Sequence, residues 1–324
     1  MRIRTVLAGA AALLVGATVL AAWPSTADRG GPRWAVDDDS RADYGVCRGT
    51  DPGCYHDWET AFKTDGVDRV LVYSATGVSR HAHLGPRLAP GMNPPLTDAH
   101  VAQQAMRRWG TEHGLSVDWT EDVLQLDSPG KLLGYDAVVF LSNSRDILDD
   151  AAQTSLMQYV RAGGGFVAVH NTLGAEYHWP YFQGLLGGAA FYDHGPSRNG
   201  RVEKTSRRDV SVADLPKRFV LKDEFYNLAP FPTGVRILAE VDPDTLEGGG
   251  KGFNGHPGHP DQHPVTWCQY YDGGRAWVTS LGHEVALWRD GDGNGDADEQ
   301  ARLFKSHVVN GLLSTMGKKA FCRA

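Results

Sequence analysis

The feature that most constrains the fold is a glycine-led apolar segment that ends on a histidine. Gly163 to Gly165 precede the apolar run FVAV at 166–169, and His170 and Asn171 follow it. The length and the β-branched content of this run predict a buried strand. Open α/β sheets bind their ligands outside the carboxyl ends of their strands. The segment therefore predicts a central strand with a ligand site at His170.

Strand-like and helix-like segments alternate through the first half of the chain. The predicted strands are 69–74, 116–119, 135–141 and 166–169, and the predicted helices are 97–109, with Thr97 as N-cap, and 148–162. This alternation predicts an α/β fold with a mainly parallel sheet and helices on both faces. Right-handed crossovers would bring the ends of the first, third and fourth strands to one edge.

The second half of the chain contains shorter, more β-like segments. Strands are predicted at 209–212, 235–241, 265–271 and 275–281, and a final helix at 301–313. Asp272-Gly273-Gly274 separates the last two strands and is a good hairpin turn. We therefore expect β-hairpins to extend the parallel sheet. The last strand leads directly to His283, a second histidine at a strand end.

The first 27 residues have the composition of a secretory signal peptide. Arg2 and Arg4 form a basic start, an apolar run extends to Ala22, and small residues stand at 25–27. We expect cleavage and a secreted, extracellular protein; an uncleaved segment that anchors the chain in the membrane is the alternative.

The charge of the remaining chain excludes two classes of partner. Residues 28–324 keep 30 basic residues (32 minus two arginines) against 39 acidic ones, a net charge of −9. Nucleic acids and anionic membrane surfaces are therefore not expected partners. No nucleotide cofactor is expected, because the glycines at 163–165 precede a strand instead of opening a helix. The expected partner is a neutral small molecule or a metal ion.

Export makes disulfides the expected state of the four cysteines. Three connectivities exist. The short separation of Cys47 and Cys54 favours one pair, which leaves Cys268 to bind Cys322 near the C-terminus.

Five motifs resemble those of one protein family. They are GGGFVAVHN at 163–171, GLLGG followed by Asp193-His194, DEFYNL at 223–228, DQHPVTWC at 261–268 and GGRAWVTSLGH at 273–283. In this order they resemble the ThuA-like (trehalose-utilisation) family, over about 68–317. The resemblance implies a flavodoxin-like sandwich similar to class I glutamine amidotransferases, and a role in processing or binding sugars. Those amidotransferases carry a cysteine after the central strand, whereas this chain has His170, so hydrolysis of glutamine through a thioester is not expected.

The expected organisation follows from these features. Residues 1–27 form the signal peptide, 28–65 a linker with a disulfide-closed lead-in, 66–318 the ThuA-like domain and 319–324 a C-terminal tail.

The expected site is a cleft of histidine, carboxylate and aromatic side chains at the strand ends. Imidazole and carboxylate groups transfer protons near neutral pH or bind a divalent metal, and His170, Glu224 and His283 are the expected catalytic residues. Aromatic faces pack on sugar C–H surfaces. The residues expected to bind a saccharide, a glycoside or an oxidised sugar, are Asn171, Glu176, Tyr177, Trp179, His194, Tyr226, His263 and Trp267.

Two alternatives to an enzyme stay open. The same cleft could hold a saccharide without turnover, as a binding module, or the histidines could be hydrogen-bonded core residues of a structural protein.

The loop with His256, His259 and His263 offers a zinc ligand set, but its Pro and Gly residues favour an ordinary loop.

An acidic segment before the last helix predicts a structural calcium site. Oxygen-bearing residues at positions one, three and five, followed by glycine at six, match an EF-hand-type loop. Position twelve is Ala301 instead of glutamate, and a solvated acidic turn is the alternative. The expected ligands are Asp290, Asp292, Asn294, Asp296 and Asp298.

Overall fold

Short apolar segments form the strands, and amphipathic segments form the helices that cover them. The computed structural model describes residues 45–58, 61–289 and 296–323. The strands are β1 (Arg48–Gly49), β2 (Arg69–Tyr73), β3 (Ser116–Thr120), β4 (Ala137–Leu141), β5 (Gly165–Val169), β6 (Phe191–His194), β7 (Arg198–Lys204), β8 (Arg218–Asp223), β9 (Tyr226–Leu228), β10 (Arg236–Val241), β11 (Pro264–Tyr271) and β12 (Gly274–Thr279). The α-helices are α1 (Val101–Glu112), α2 (Pro129–Leu132), α3 (Asp150–Arg161), α4 (Pro180–Leu185) and α5 (Asp296–Thr315).

Within the described residues these strands form one ten-stranded sheet and one small sheet. The order of the large sheet is β3-β2-β4-β5-β12-β11-β10-β7-β8, with β1 beside β11, and β6 pairs with β9. Strands β3, β2, β4, β5 and β12 are parallel, and the others pair antiparallel. The predicted α/β fold, with a parallel sheet extended by antiparallel strands in the C-terminal half, is confirmed.

Strand β5 is covered on both faces, as its continuous apolar sequence predicts. Val167 and Val169 face the core under α1 and α5, whereas Phe166 and Ala168 face the core under α3 and α4. All four side chains are fully or almost fully buried. The central strand is thus fixed in position by packing on two sides.

Two local predictions are wrong. The segment at 209–212 is a single 3₁₀ turn, Val210–Val212, because the Asp209 side chain accepts a hydrogen bond from the Ser211 N–H and caps the turn. The first helix begins at Val101 instead of next to Thr97. His100 is the N-cap, and its ring accepts a hydrogen bond from the Thr97 N–H at 2.8 Å.

The predicted hairpin and both disulfides are confirmed. Asp272 and Gly273 have φ of 47° and 96°, and together they connect β11 to β12 in the two-residue turn that suits twisted strands. The disulfides join Cys47 to Cys54 and Cys268 to Cys322.

These disulfides fit an extracellular protein. Among the described residues, no helix has both the length and the apolar character that crossing a bilayer requires. The signal peptide predicted for 1–27 lies outside the described residues.

Candidate functional site

The carboxyl ends of four parallel strands, β2, β4, β5 and β12, meet at one edge of the sheet. The segment after β2 carries His81 and His83, His170 follows β5, and the segment after β12 carries His283. The rings of these four histidines pack on one another, with centroids 4.6 Å apart for His81 and His170 and 5.5 Å for His170 and His283. The parallel topology thus gathers histidines that are far apart in sequence.

His170 is buried, and one of its ring nitrogens is used in a hydrogen bond to the backbone. The backbone there has φ of 54°, a left-handed conformation rare for residues other than glycine. Its Nδ1 lies 2.8 Å from the Ser280 carbonyl oxygen, which only accepts, so Nδ1 carries the proton. The lone pair is therefore on Nε2, which lies 2.8 Å from the Tyr226 hydroxyl and 3.1 Å from His81 Nε2. Burial lowers the pKa of His170 well below its usual value.

The Glu224 carboxylate lies between three histidines, two from this group and His194. One oxygen, Oε2, lies 3.0 Å from His283 Nδ1 and 4.0 Å from His170 Nε2, and the other lies 3.5 Å from His194 Nδ1. Burial disfavours a charged His283 ring, but the adjacent Glu224 carboxylate outweighs it and raises the pKa of His283. The three expected catalytic residues thus lie together.

Asp223 holds the two segments that carry Glu224 and His283. Its carboxylate accepts hydrogen bonds from the N–H groups of Glu224 at 2.9 Å, Gly282 at 2.7 Å and His283 at 2.9 Å. Full burial raises the pKa of Asp223 to about 7, although these three bonds oppose the shift. The residue joins the end of β8 to the end of β12.

His81 and His83 belong to the site, although sequence reasoning did not select them. His83 donates from Nδ1 to the His283 carbonyl at 3.1 Å, and its Nε2 lies 2.8 Å from the Ser142 hydroxyl. Burial lowers the pKa of His81 to about 4 and that of His83 to about 3. The signal that could have revealed them is their position after β2, one of the strands predicted to end at this edge.

Four side chains have the spacing of a metal-binding set. Each of His81, His170, Glu224 and His283 offers one nitrogen or oxygen, and these four atoms all lie within 4.8 Å of one another.

Four of the residues expected to bind a saccharide lie around this cluster. The Tyr226 hydroxyl, besides contacting His170, lies 3.4 Å from the Asn171 side-chain oxygen. His194 lies beside Glu224. His263 is buried and donates to the Tyr226 carbonyl oxygen at 3.0 Å, so it fixes the backbone of this tyrosine.

Glu176 and Trp267 have structural environments instead. The Glu176 carboxylate accepts hydrogen bonds from the N–H groups of Ile147 and Leu148 at 2.7 and 2.9 Å, and it fixes the start of α3. Trp267 is completely buried and donates to the Leu186 carbonyl oxygen at 3.0 Å. Neither side chain offers a free surface to a sugar.

Tyr177 and Trp179 likewise pack against the protein. The Tyr177 hydroxyl donates to the Phe191 carbonyl oxygen at 3.0 Å. Trp179 stacks on Tyr181 and Phe182, with centroids 5.5 and 6.0 Å away. These contacts account for the two aromatic rings as packing residues.

An exposed aromatic residue instead stands beside the cluster. Phe253 is 69% exposed, its ring centroid lies 5.6 Å from that of His194, and its N–H donates to the His194 carbonyl at 2.9 Å. The loop is held by the buried Asp193 carboxylate, which accepts from the N–H groups of Asn254 and His256 at 2.9 and 3.2 Å. Phe253 is thus held in an exposed position beside His194.

The predicted calcium loop lies partly outside the described residues. Asp290, Asp292 and Asn294 lie outside the described residues. Asp296 is the first residue of α5, and Asp298 lies in its first turn and is partly buried. The calcium site stays a prediction.

Comparison with known proteins supports the resemblance seen in the sequence. A ThuA-like protein from Bacteroides uniformis aligns with a TM-score of 0.57 and 20% identity, over 78% of this chain and 94% of that one. A ThuA-like protein from Parabacteroides merdae aligns with a TM-score of 0.54 and 17% identity, over 80% and 92%. At these identities the similarity shows the fold. No curated protein compared with the chain matches it. The family model ThuA, described as trehalose utilisation, matches residues 95–295, and the chain therefore belongs to the ThuA family.

Proposed function

We propose that this protein is an enzyme that acts on a saccharide, a glycoside or an oxidised sugar, at the cluster of His170, Glu224 and His283. The observation that carries the proposal is the Glu224 carboxylate, held 3.0 Å from one imidazole and 4.0 Å from another at the ligand edge of the sheet. Such groups remove and return protons during reactions at sugar carbons and glycosidic oxygens. The family's description as trehalose utilisation supports a sugar substrate.

The neighbouring groups have distinct proposed roles. Glu224 is the proton-transferring group, and His283 stabilises its charge. The Tyr226 hydroxyl and the Asn171 amide bind sugar hydroxyls, since the tyrosine hydroxyl lies 2.8 Å from His170 Nε2 and 3.4 Å from the Asn171 side-chain oxygen. Phe253 offers its exposed face to the C–H surface of a sugar ring.

Turnover tests the proposal directly. Purified protein is incubated with trehalose, with other disaccharides, and with the same sugars after oxidation of one ring hydroxyl to a ketone, and products are identified by mass spectrometry. We expect one class to react, and Glu224→Gln to lower kcat by about 100-fold or more, the loss typical of a missing acid-base group.

The matched control is Glu112→Gln. Glu112 is exposed at the end of α1, where it pairs with Lys305, and turnover should not change. Saturable saccharide binding without turnover in the parent protein would contradict the enzyme and leave the binding module.

Export and calcium binding extend the proposal. We infer a secreted protein whose Asp290–Asp298 segment binds calcium, on the sequence pattern of that segment and on both disulfides. Calcium should raise Tm and a calcium-selective chelator should lower it, with Asp292→Asn abolishing the difference. An equal Tm in both conditions would contradict the calcium site.

A further inference from the structure

We propose that His81, His170, Glu224 and His283 bind a divalent transition-metal ion, for which zinc is the test metal. The proposal deepens the proposed function and rests on it only for the reason why an ion would be there. With the ion bound, Glu224 Oε2 is a ligand and Oε1, which lies beside His194, is the oxygen left for proton transfer. Binding itself is measured without any sugar. Three imidazoles and one carboxylate are ligand types that suit zinc and its neighbours in the first transition row.

The spacing of the four ligand atoms fits a single ion. With zinc–nitrogen bonds of 2.0–2.1 Å, the ligands of a tetrahedral site are about 3.4 Å apart. The observed separations are 3.1 Å between the Nε2 atoms of His81 and His170, and 3.0 Å between His283 Nδ1 and Glu224 Oε2. No separation within the set exceeds 4.8 Å. Shifts of about an ångström would complete the coordination.

The direct contacts within the cluster are poor hydrogen bonds. Among the described residues the buried Nδ1 atoms of His81 and His283 have no hydrogen-bond partner, although His283 Nδ1 lies only 3.0 Å from Glu224 Oε2. The single lone pair of His170 Nε2 faces both the Tyr226 hydroxyl and His81 Nε2. Buried polar atoms are normally satisfied, and an ion bound at His283 Nδ1 would satisfy that atom. His81 would bind the same ion through Nε2, so the ion does not account for its Nδ1.

The atoms around the cluster orient its members as the surroundings of metal ligands do. A metal-binding histidine usually donates its second ring N–H to a carbonyl or carboxylate, and His170 donates to the Ser280 carbonyl. His83 donates to the His283 carbonyl, and Asp223 accepts the N–H groups of both Glu224 and His283. Each bond fixes a ligand residue without occupying its ligand atom.

The chain contains a second histidine group that serves as a contrast. His259 Nε2 accepts from the Leu228 N–H at 2.9 Å, His256 Nδ1 accepts from the Gly258 N–H at 3.1 Å, and His263 donates to the Tyr226 carbonyl. Each of these rings uses one nitrogen to hold backbone, although His263 Nδ1 is also buried without a hydrogen-bond partner among the described residues. The zinc ligand set considered for them from sequence is therefore weaker than the cluster at the strand ends.

The experiment measures metal in the full mature chain. The protein is treated with a transition-metal chelator, returned to buffer with excess calcium, and titrated with Zn²⁺ by calorimetry and with Co²⁺ by absorption. We expect one Zn²⁺ per chain, visible Co²⁺ bands that Zn²⁺ abolishes, and affinity lowered about 100-fold or more in His170→Ala and Glu224→Gln. The control His178→Ala, at an exposed histidine, should bind as the parent does. Circular dichroism checks folding, and the conservative Glu224→Gln keeps the test valid if His170→Ala does not fold.

Three outcomes would overturn the inference: no stoichiometric Zn²⁺ in the parent protein, binding unchanged in Glu224→Gln, or binding lost in His259→Gln but kept in His170→Ala. Its failure is separable from that of the proposed function. Saccharide turnover by a protein that binds no Zn²⁺ would contradict the metal alone, whereas bound zinc without turnover would contradict the enzyme alone.

Discussion

Phe253 is the residue at which an effect on saccharide binding is most easily separated from an effect on stability. Its ring is 69% exposed beside His194. Because its removal leaves no cavity, Phe253→Ala should change the free energy of unfolding by less than about 0.5 kcal/mol. It should raise KM for the saccharide about 5- to 10-fold, since one stacked aromatic contact is worth about 1 kcal/mol. Steady-state kinetics and urea unfolding measure the two effects.

Phe62→Ala is the matched control, because Phe62 is 52% exposed and lies beside Lys63, which pairs with Asp136 at the opposite end of the strands. Equal KM values for Phe253→Ala and Phe62→Ala would show that Phe253 does not contact the substrate.

For single residues, the sequence predicts site side chains that directly follow a strand better than site side chains that lie in loops, and it does not tell a sugar-binding aromatic ring from a buried one. His170 and His283 follow apolar runs directly, so topology alone places them at the ligand edge. His81 and His83 lie in a Gly/Pro-rich loop without periodicity, and only the folded chain returns that loop to His170. Trp267 looks like a sugar-binding aromatic in sequence, but its burial depends on the neighbouring strands and on Leu186.

The contact between the ends of β8 and β12 depends on the Asp223 carboxylate, and its removal gives a testable prediction. In Asp223→Asn the amide cannot accept at all three N–H groups that the carboxylate now satisfies, so one buried donor loses its partner. We expect a loss of about 2 kcal/mol in the free energy of unfolding and a parallel loss of turnover, since the segments that carry Glu224 and His283 then lose a hydrogen bond that holds them together.

Asp98→Asn, at an exposed aspartate, controls for the change of charge and should be neutral. A stable Asp223→Asn variant with full activity would remove Asp223 from the positioning of the site.

Element prediction succeeded where packing and local pattern agree. Strand β5 is a continuous apolar run that is buried throughout, helix α3 buries one face at helical spacing, and the prediction places both within two residues. The segment 209–212 failed because Asp209 uses its side chain to close a turn, which competes with strand pairing. The start of α1 failed because His100 instead of Thr97 precedes the first helical residue.

At the scale of the molecule, the two disulfides should contribute unequally. The entropy of closing a loop gives about 4 kcal/mol for the 54-residue separation of Cys268 and Cys322, against about 2.5 kcal/mol for the seven-residue separation of Cys47 and Cys54. The double variant Cys268→Ala/Cys322→Ala should therefore lower Tm more than Cys47→Ala/Cys54→Ala. Thermal melts without reductant compare the two, and the reverse order would contradict this ranking.

Acid should destabilise the whole molecule through buried neutral histidines. His307 is fully buried, donates to the Ser211 carbonyl at 3.1 Å and contacts the Thr266 hydroxyl at 3.0 Å, and burial lowers its pKa to about 4. The unfolded chain therefore binds a proton that the folded chain does not between pH 4 and about 6.5. Stability from this group is complete above that range and falls with decreasing pH, by up to about 1.4 kcal/mol per pH unit.

Urea unfolding of the parent protein and of His307→Gln from pH 4.5 to 7.5 measures this contribution as a difference in slope. The free energy of unfolding of the variant should change less with pH, by the amount that one proton contributes. Identical slopes in the two proteins would show that His307 is not the titrating group.

The overall fold could be predicted from the alternation of strands and helices, but the order of the sheet could not. Strand β12 forms a hairpin with β11 and also pairs parallel with β5, so it joins the parallel and antiparallel parts. Local sequence specifies the hairpin through Asp272 and Gly273. The pairing with β5 depends on contacts between residues more than 100 apart, which no local pattern reports.

The distances along the chain between the clustered histidines have a consequence for when the site can exist. His81 is 89 residues from His170, and His83 is 200 residues from His283. During synthesis from the N-terminus, the last of these groups is added only after most of the chain has been made. The cluster is therefore completed only when the last strand has been made, and a truncated product that ends before β12 carries His81, His170 and Glu224 but lacks His283.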